Sequence, residues 1–470
     1  MKKVAITVFS LLLAGSISAQ EGATFLSLDS CRALAIRNNK ELRMADMKQC
    51  AARYERKAAF TKYLPRVSAT GAYLHTGKEI SLLSDEQKGT LNNLGTAVGS
   101  LAPALESMTG ALNGVGAGLV DALHTDTRNM GVAAVMLTQP VYMGGKIVAY
   151  NRITRYAEQI AARQHDLALQ EVIVEVDEAY WQIVALQSKK RLAESYLELV
   201  RKLDSDVQQM IDEGVATKAD GLSVKVKVNE AQVALIQVDN GLSLSRMLLC
   251  QLCGLELDTP LTLADEHTEV VPMPGMTAAD VQTAFEHRPE LRALSLSADI
   301  YKEKVRLARA EFLPTVALTG GWMGSNPSAF NSFERRFKGM WNVGVMVNIP
   351  IVTWGERCYK VKAARIEESM ARYRLEETRE KVELQVNQSR QKVEEAGERL
   401  RTATRSREEA DENLRYATLG MQEGVIPVSN VLEAQTAWLS AHSECVTAQI
   451  DLRLADLYLR KSSGTLTVGR

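Results

Sequence analysis

Gly144-Gly145-Lys146-Ile147-Val148 opens, and Glu213-Gly214-Val215-Ala216-Thr217 closes, a stretch of chain without a single proline. Gly355-Glu356-Arg357 opens a second such stretch, which Glu423-Gly424-Val425-Ile426-Pro427 closes. The separation is 69 residues both times, from Gly145 to Gly214 and from Gly355 to Gly424. A helix of that length runs about 100 Å, far beyond the helices of ordinary globular domains. Apolar and small residues recur at alternating spacings of three and four, through Val172, Val176, Ala179, Ile183 and Leu186 in the first stretch. Val382, Val386, Val393, Ala396 and Leu400 repeat the pattern in the second. Such a period predicts left-handed coiled-coil packing, and two rods of equal length predict an internally duplicated protein rather than a compact enzyme.

Working outward, the duplication covers the chain. Glu41-Leu42-Arg43 returns as Glu290-Leu291-Arg292, and Tyr63-Leu64-Pro65 as Phe312-Leu313-Pro314, at an offset of 249. From Pro140 and Pro350 onward the offset is 210 and holds to Gly254 and Gly464. The difference of 39 residues is an insertion in the first copy, within about 77–128. Before it, Val67, Ala69, Gly71 and Tyr73 alternate with smaller or polar residues, the period of a strand. Strands are expected over about 66–76, 130–140, 314–324 and 341–350, each of a length that a tilted strand needs to cross a membrane. The expected organisation is a signal peptide at 1–19, a first repeat at 20–254 with its long helix at 145–213, and a linker at 255–276. A second repeat at 277–464 carries its long helix at 355–423, and 465–470 form a tail. Each repeat reads helix, strand, strand, very long helix, turn, shorter helix.

Met1-Lys2-Lys3, an apolar run from Val4 to Leu13 and Ser18-Ala19 read as a secretory signal cleaved after Ala19. A net charge of −1 signals neither nucleic acid nor an acidic substrate. Cys250 and Cys253 form a C-x-x-C with no second pair or histidine spacing beside it, so core packing is the expected role. The six histidines are scattered, and no nucleotide loop or nucleophile elbow occurs, so no cofactor, metal or enzyme reading has a footing.

Four strands cannot close a barrel, and open sheet edges are not tolerated in lipid, so other copies of the chain must close them. Three copies would give twelve strands and twelve helical columns. The segments Leu137-Thr138-Gln139-Pro140-Val141-Tyr142-Met143-Gly144-Gly145 and Ile349-Pro350-Ile351-Val352-Thr353-Trp354-Gly355, with the two glycine tips, resemble the TolC-like outer membrane efflux protein family. The resemblance spans almost the whole mature chain. It implies a mainly α fold with membrane β: a homotrimer in which a twelve-stranded β-barrel in the outer-membrane lipid continues as an α-helical coiled-coil barrel through the periplasm. It implies a periplasmic adaptor and an inner-membrane pump of the RND type as partners, with the chain as passive exit duct for expelled small molecules. The exit duct of a type I protein secretion system is the alternative within the family, and a soluble periplasmic coiled-coil scaffold the alternative outside it.

The family's tunnel closes at the helical tips, so a carboxylate there becomes a ring by symmetry. Asp220 and Glu433 are the candidates; the family's paired pore positions, often both Asp, are here Asn430 and Glu433. Asp220 as an N-cap and Asn430-x-x-Glu433 as a capping box are the alternative roles. Where the family carries a latch Tyr and Arg this chain has Met421 and Ile426, which implies an apolar constriction. Gly214, Val215, Ala216, Gly424 and Val425 are the expected adaptor contacts. In the insertion, Leu91, Leu94, Val98, Leu101, Leu105, Met108, Leu112, Val115, Leu119 and Ala122 keep a heptad spacing, with Pro103 expected to divide two helices. Three such segments packing as a lid near the trimer axis, or one lying in the outer leaflet, would cover that stripe.

Overall fold

The computed structural model describes residues 24–77, 83–101, 107–123, 128–267, 280–328 and 336–466. The signal peptide, Pro103, Leu105, residues 268–276 of the expected linker and the last four residues of the tail lie outside them. In chain order the elements are β1 (Thr24–Leu26), α1 (Leu28–Asn38), α2 (Lys40–Phe60), β2 (Arg66–His75), α3 (Asp85–Asn92), α4 (Leu94–Leu101) and α5 (Thr109–Ala122). There follow β3 (Asn129–Met143), α6 (Lys146–Asp212), α7 (Lys218–Cys253), β4 (Leu261–Leu263), α8 (Val281–His287) and α9 (Pro289–Arg309). β5 (Thr315–Asn326), β6 (Lys338–Asn348), α10 (Glu356–Gln422) and α11 (Val428–Ser462) complete the chain. They fall into two compact units, the first of Met1–Gln49, Ala161–Ala293 and Arg374–Arg470, the second of Cys50–Ile160 and Leu294–Tyr373.

The second unit holds an antiparallel sheet in the order β2-β3-β5-β6. Side chains alternate across a strand, so the register decides what each face presents. Ala69, Val135, Trp322 and Trp341 stand abreast, as do Val67, Leu137, Gly320 and Val343. On the opposite face Arg66 aligns with Thr138, Thr319 and Gly344, and Ser68 with Met136, Gly321 and Asn342. The middle of one face is therefore apolar and aromatic, with His75, Asn129, Gln139 and Asn326 toward its ends, and the other face mixes hydroxyls, amides, methionines and the charged Arg66 and Lys338. β2 pairs only with β3, and β6 only with β5, so both outer edges of the sheet are unpaired among the described residues.

Beneath the strands, Asn151 on α6 donates to the Ala59 carbonyl of α2 at 3.0 Å, and Arg56 pairs with Glu158 at 2.9 Å. Arg152 reaches the buried Glu303 of α9 at 3.5 Å. Gly144 makes the turn from β3 to α6 at φ +62°, and a Cβ there would lie 2.6 Å from the Ala310 carbonyl oxygen. Close approach and a left-handed backbone together demand glycine.

The insertion differs from its expected form. It holds three described helices, not two, because the chain also breaks at Asn93, whose backbone leaves the helical region. These helices pack on one another: a Cβ at Gly116 of α5 would sit 1.7 Å from the Leu91 carbonyl oxygen, and one at Gly95 of α4 would sit 2.2 Å from that of Thr109. Part of the stripe is thus satisfied within the chain, while Leu101, Met108 and Val115 stay exposed.

In the first unit, Val172, Val176, Ala179 and Ile183 of α6 are buried against α1, α7 and the parallel pair β1–β4. The opening of the expected linker is thus a strand and turn packed into a core. Asp177 is buried on the same stretch, held by Arg32 of α1 through Nε at 2.7 Å and Nη2 at 2.5 Å. Tyr180 donates to Asp265 at 2.6 Å, and Arg246 donates to both oxygens of Glu266 at 3.1 Å. Each is a buried polar group whose partner comes from a distant element, as burial requires.

Candidate functional site

The two glycine turns are the same device built twice. α6 ends in a Schellman motif: Gly214 N–H donates to the Ile211 carbonyl at 3.1 Å and Val215 N–H to that of Met210 at 2.8 Å. At the end of α10, Gly424 donates to Met421 at 3.0 Å and Val425 to Gly420 at 2.8 Å. Gly214 and Gly424 stand at φ +78° and +72°, where a side chain is strained. Val215 and Val425 project from the turns, 66 % and 79 % exposed. Ala216 packs against the core behind its turn, and Ile426 folds back onto Gly420.

Behind the turns both hairpins, α6–α7 and α10–α11, share one apolar core that includes Val200, Val207, Val224, Leu414 and Val431. Met421 is buried in this core together with Val428. Its side chain joins the helices and does not stand on the open surface.

The carboxylates have unequal surroundings. Thr217, not Asp220, is the N-cap of α7, and Asp220, the third helical residue, completes its capping box. Thr217 Oγ1 accepts from the Asp220 amide at 3.2 Å, while Asp220 Oδ2 accepts from Thr217 N–H at 3.0 Å and from its hydroxyl at 2.6 Å. The side-chain bond first, then the backbone bond, hold the Asp220 carboxyl below its ordinary range. In the second copy Pro427 stands where Thr217 does and makes no side-chain cap. Asn430 is therefore the third helical residue and Glu433 lies one turn further in, both exposed. The capping box expected of Asn430 and Glu433 is not formed, because the helix begins at Val428. Glu433 is the carboxylate left outside a cap.

Sequence reading overlooked the pins that hold α10 to α11. Asp411 accepts from Trp438 Nε1 at 2.6 Å and lies 2.8 Å from His442 Nε2. Arg399 bridges Glu444 at 2.7 Å and Asp451 at 3.1 Å. The partners lie 27 to 52 residues apart, beyond any local pattern. In the first hairpin, Lys190 bonds Asp239 at 2.7 Å.

Among the described residues no helix is long and apolar enough to cross a membrane, and no group of three or more His, Cys, Asp or Glu could hold a metal ion. Comparison with known proteins converges on one family. The sequence profile of the family described as outer membrane efflux protein matches residues 32–255 and 281–465. The alkaline protease secretion protein AprF of Pseudomonas aeruginosa is 25 % identical over 352 residues, covering 71 % of this chain and 70 % of that protein. The outer membrane protein TolC of Vibrio cholerae is 24 % identical over 351 residues, covering 71 % and 77 %. Among solved structures, the outer membrane protein VceC of Vibrio cholerae superposes with a TM-score of 0.72 at 16 % identity, over 93 % of this chain and 96 % of that one.

Proposed function

The chain belongs to the outer membrane efflux protein family, and from that premise we propose that three copies form one passive exit duct through the outer membrane. The duct continues into the periplasm as a barrel of long helices and conducts small molecules handed over by an inner-membrane pump through a periplasmic adaptor. One observation carries this reading. The four-stranded sheet has one apolar face and two unpaired edges, an arrangement that lipid admits only when copies close it into a barrel. Three copies of four strands make twelve, and the face of Val67, Trp322, Trp341 and Val343 meets the lipid.

The internal duplication supplies the joint between copies. β3 pairs with β5 inside the chain, with Val135 opposite Trp322 and Leu137 opposite Gly320. Shifted by the two offsets, the same pairing sets Val345 of β6 opposite the partner's Tyr73 and Val347 opposite the partner's Gly71. Every residue in these pairs lies on the apolar face, so the joint continues that face around the barrel. At the tips, Gly214, Val215, Ala216, Gly424 and Val425 take the adaptor, and Glu433 supplies a threefold ring of charge with Asn430 as its neutral neighbour. The RND class is the pump we assign.

The test is the native mass of protein extracted in detergent from outer-membrane fractions. A mass of three chains is expected; a monomer refutes the closed barrel. Similarity to a protein named for protease secretion keeps a second reading in view, the exit duct of a protein secretion system. Deleting the gene separates them: a small-molecule efflux duct costs the cell its tolerance of toxic compounds, and a secretion duct leaves a protein stranded in the periplasm.

A further inference from the structure

Cys31 on α1 and Cys253 on the last turn of α7 are both fully buried in the core of the first unit. The Cys253 thiol lies 3.6 Å from the Cys31 carbonyl, to which it donates, so the Cys253 sulfur rests against the Cys31 residue. Asn38 Nδ2 donates to the Cys253 carbonyl at 3.1 Å, so the end of α1 is held against the end of α7 at this point. The third thiol of the cluster, Cys250, is directed at the Thr259 carbonyl, 3.9 Å away. Nothing in conduction uses these sulfurs, and the two that touch are 222 residues apart in sequence.

A chain of the outer membrane folds outside the cytoplasm, where disulfides form and persist. We propose that Cys31 and Cys253 are joined in a disulfide that staples α1 to the end of α7. The proposal rests on the outer-membrane reading. The oxidant is a dithiol oxidoreductase in its disulfide form. The Cys31 thiolate attacks one donor sulfur, forming a mixed disulfide and expelling the second donor sulfur as a thiolate. The Cys253 thiolate then attacks the Cys31 sulfur of the mixed disulfide and releases the first donor sulfur. The protein loses two electrons, the donor gains them, and the two thiol protons pass to the donor sulfurs. Full burial places the exchange before α1 has settled into the core.

The experiment takes the full chain from outer-membrane fractions, denatures it without reductant, blocks thiols with a maleimide, and maps the peptides by mass. The chain has six cysteines. Two fewer than six should react, and the peptides holding Cys31 and Cys253 should appear linked, lighter than the sum of the free peptides by two hydrogen atoms. Prior reduction should restore all six. The variant Cys31→Ser should return Cys253 to the reactive pool; if it fails to fold, the mapping of the unaltered chain decides alone. Six reactive thiols in protein found in the outer membrane would overturn the staple and leave the exit duct standing. A bridge through Cys250, or one to another chain, would overturn it equally.

Discussion

Replacing Arg32 with Met tests whether the core of the first unit depends on a buried charge. The Asp177 side chain is 3 % exposed, and Arg32, 30 % exposed, meets both of its oxygens. The Arg32→Met change removes the forked donor and leaves a buried carboxylate with only the positive charge of Arg460 near it. Breaking such a pair from one side costs about 3–5 kcal/mol, because the remaining charge stays desolvated. The pH dependence has a definite sign. Burial pushes the Asp177 carboxyl above its ordinary value of 3.8 and Arg32 pulls it back. A raised folded value means that the native state holds the proton more tightly than the unfolded chain. The group therefore weakens the fold as pH rises from 3.8 through the folded value. Without Arg32 that window extends upward, so the penalty should be full at neutral pH and shrink as pH falls toward 3.8. The pair Arg32→Met with Asp177→Leu should recover most of the loss, since apolar replacement of a buried ion pair is often neutral or better. Urea unfolding of the detergent-solubilised protein, followed by helical circular dichroism, measures each value. A neutral-pH penalty under about 1 kcal/mol, well below the cost of an unpaired buried charge, would refute the reasoning. So would a double variant as unstable as the single one.

The edge register predicts that Val345→Cys with Tyr73→Cys gives oxidised trimers on denaturing gels, while Gly344→Cys with Tyr73→Cys, pointing to opposite faces, gives few. Placing lysine on the apolar face by Val345→Lys should cost about 2–4 kcal/mol near the middle of the membrane, while Thr319→Lys on the other face should be tolerated and shift ion selectivity in bilayer recordings. Thr217→Ala removes one half of the capping box at the start of α7 and should cost about 1 kcal/mol by thermal unfolding. Because the Asp220 carboxyl sits below its ordinary value, the stability that it lends is present above 3.8 and lost as pH falls through the lowered value, and Thr217→Ala should flatten that loss. Glu433→Gln should leave stability unchanged and reduce the preference for cations in single-channel recordings; unchanged selectivity would place the constriction elsewhere.

The class of fold was legible because it is written in periods. A seam of spacing three and four carried over 69 residues has few structural meanings, and the alternation from Val67 to Tyr73 falls on β2. The offset between the copies showed where the insertion sits. Its interior was read less well: the break at Asn93 has no proline to announce it, and the close approaches at Gly95 and Gly116 are contacts between helices rather than properties of any one of them. The candidate site divided along the same line. The turns at Gly214 and Gly424 are local, and glycine after a long helix announces them. The burial of Met421, the pins at Asp411 and Arg399 and the meeting of Cys31 with Cys253 depend on which helix lies beside which, and no window of sequence contains both partners.

Duplication nonetheless carries non-local information, because one copy's contacts are a template for the other's. Inside the chain, Gly144 lies under the Ala310 carbonyl and Leu313. The offset of 210 puts Trp354 at the place of Gly144, and the offset of 249 puts Thr61 and Leu64 at the places of Ala310 and Leu313. Trp354 keeps the left-handed backbone, at φ +47°, but is 94 % exposed. A bulky residue holds such a φ only where the surroundings repay roughly 1–2 kcal/mol. The joint within the chain is thus closed by removing a side chain. In a ring closed by further copies, the duplication would set the Trp354 indole over the partner's Thr61 and Leu64 where barrel meets helix. If three copies close the ring this way, its six joints would alternate between a tight one, with glycine at the turn, and one that holds a tryptophan there.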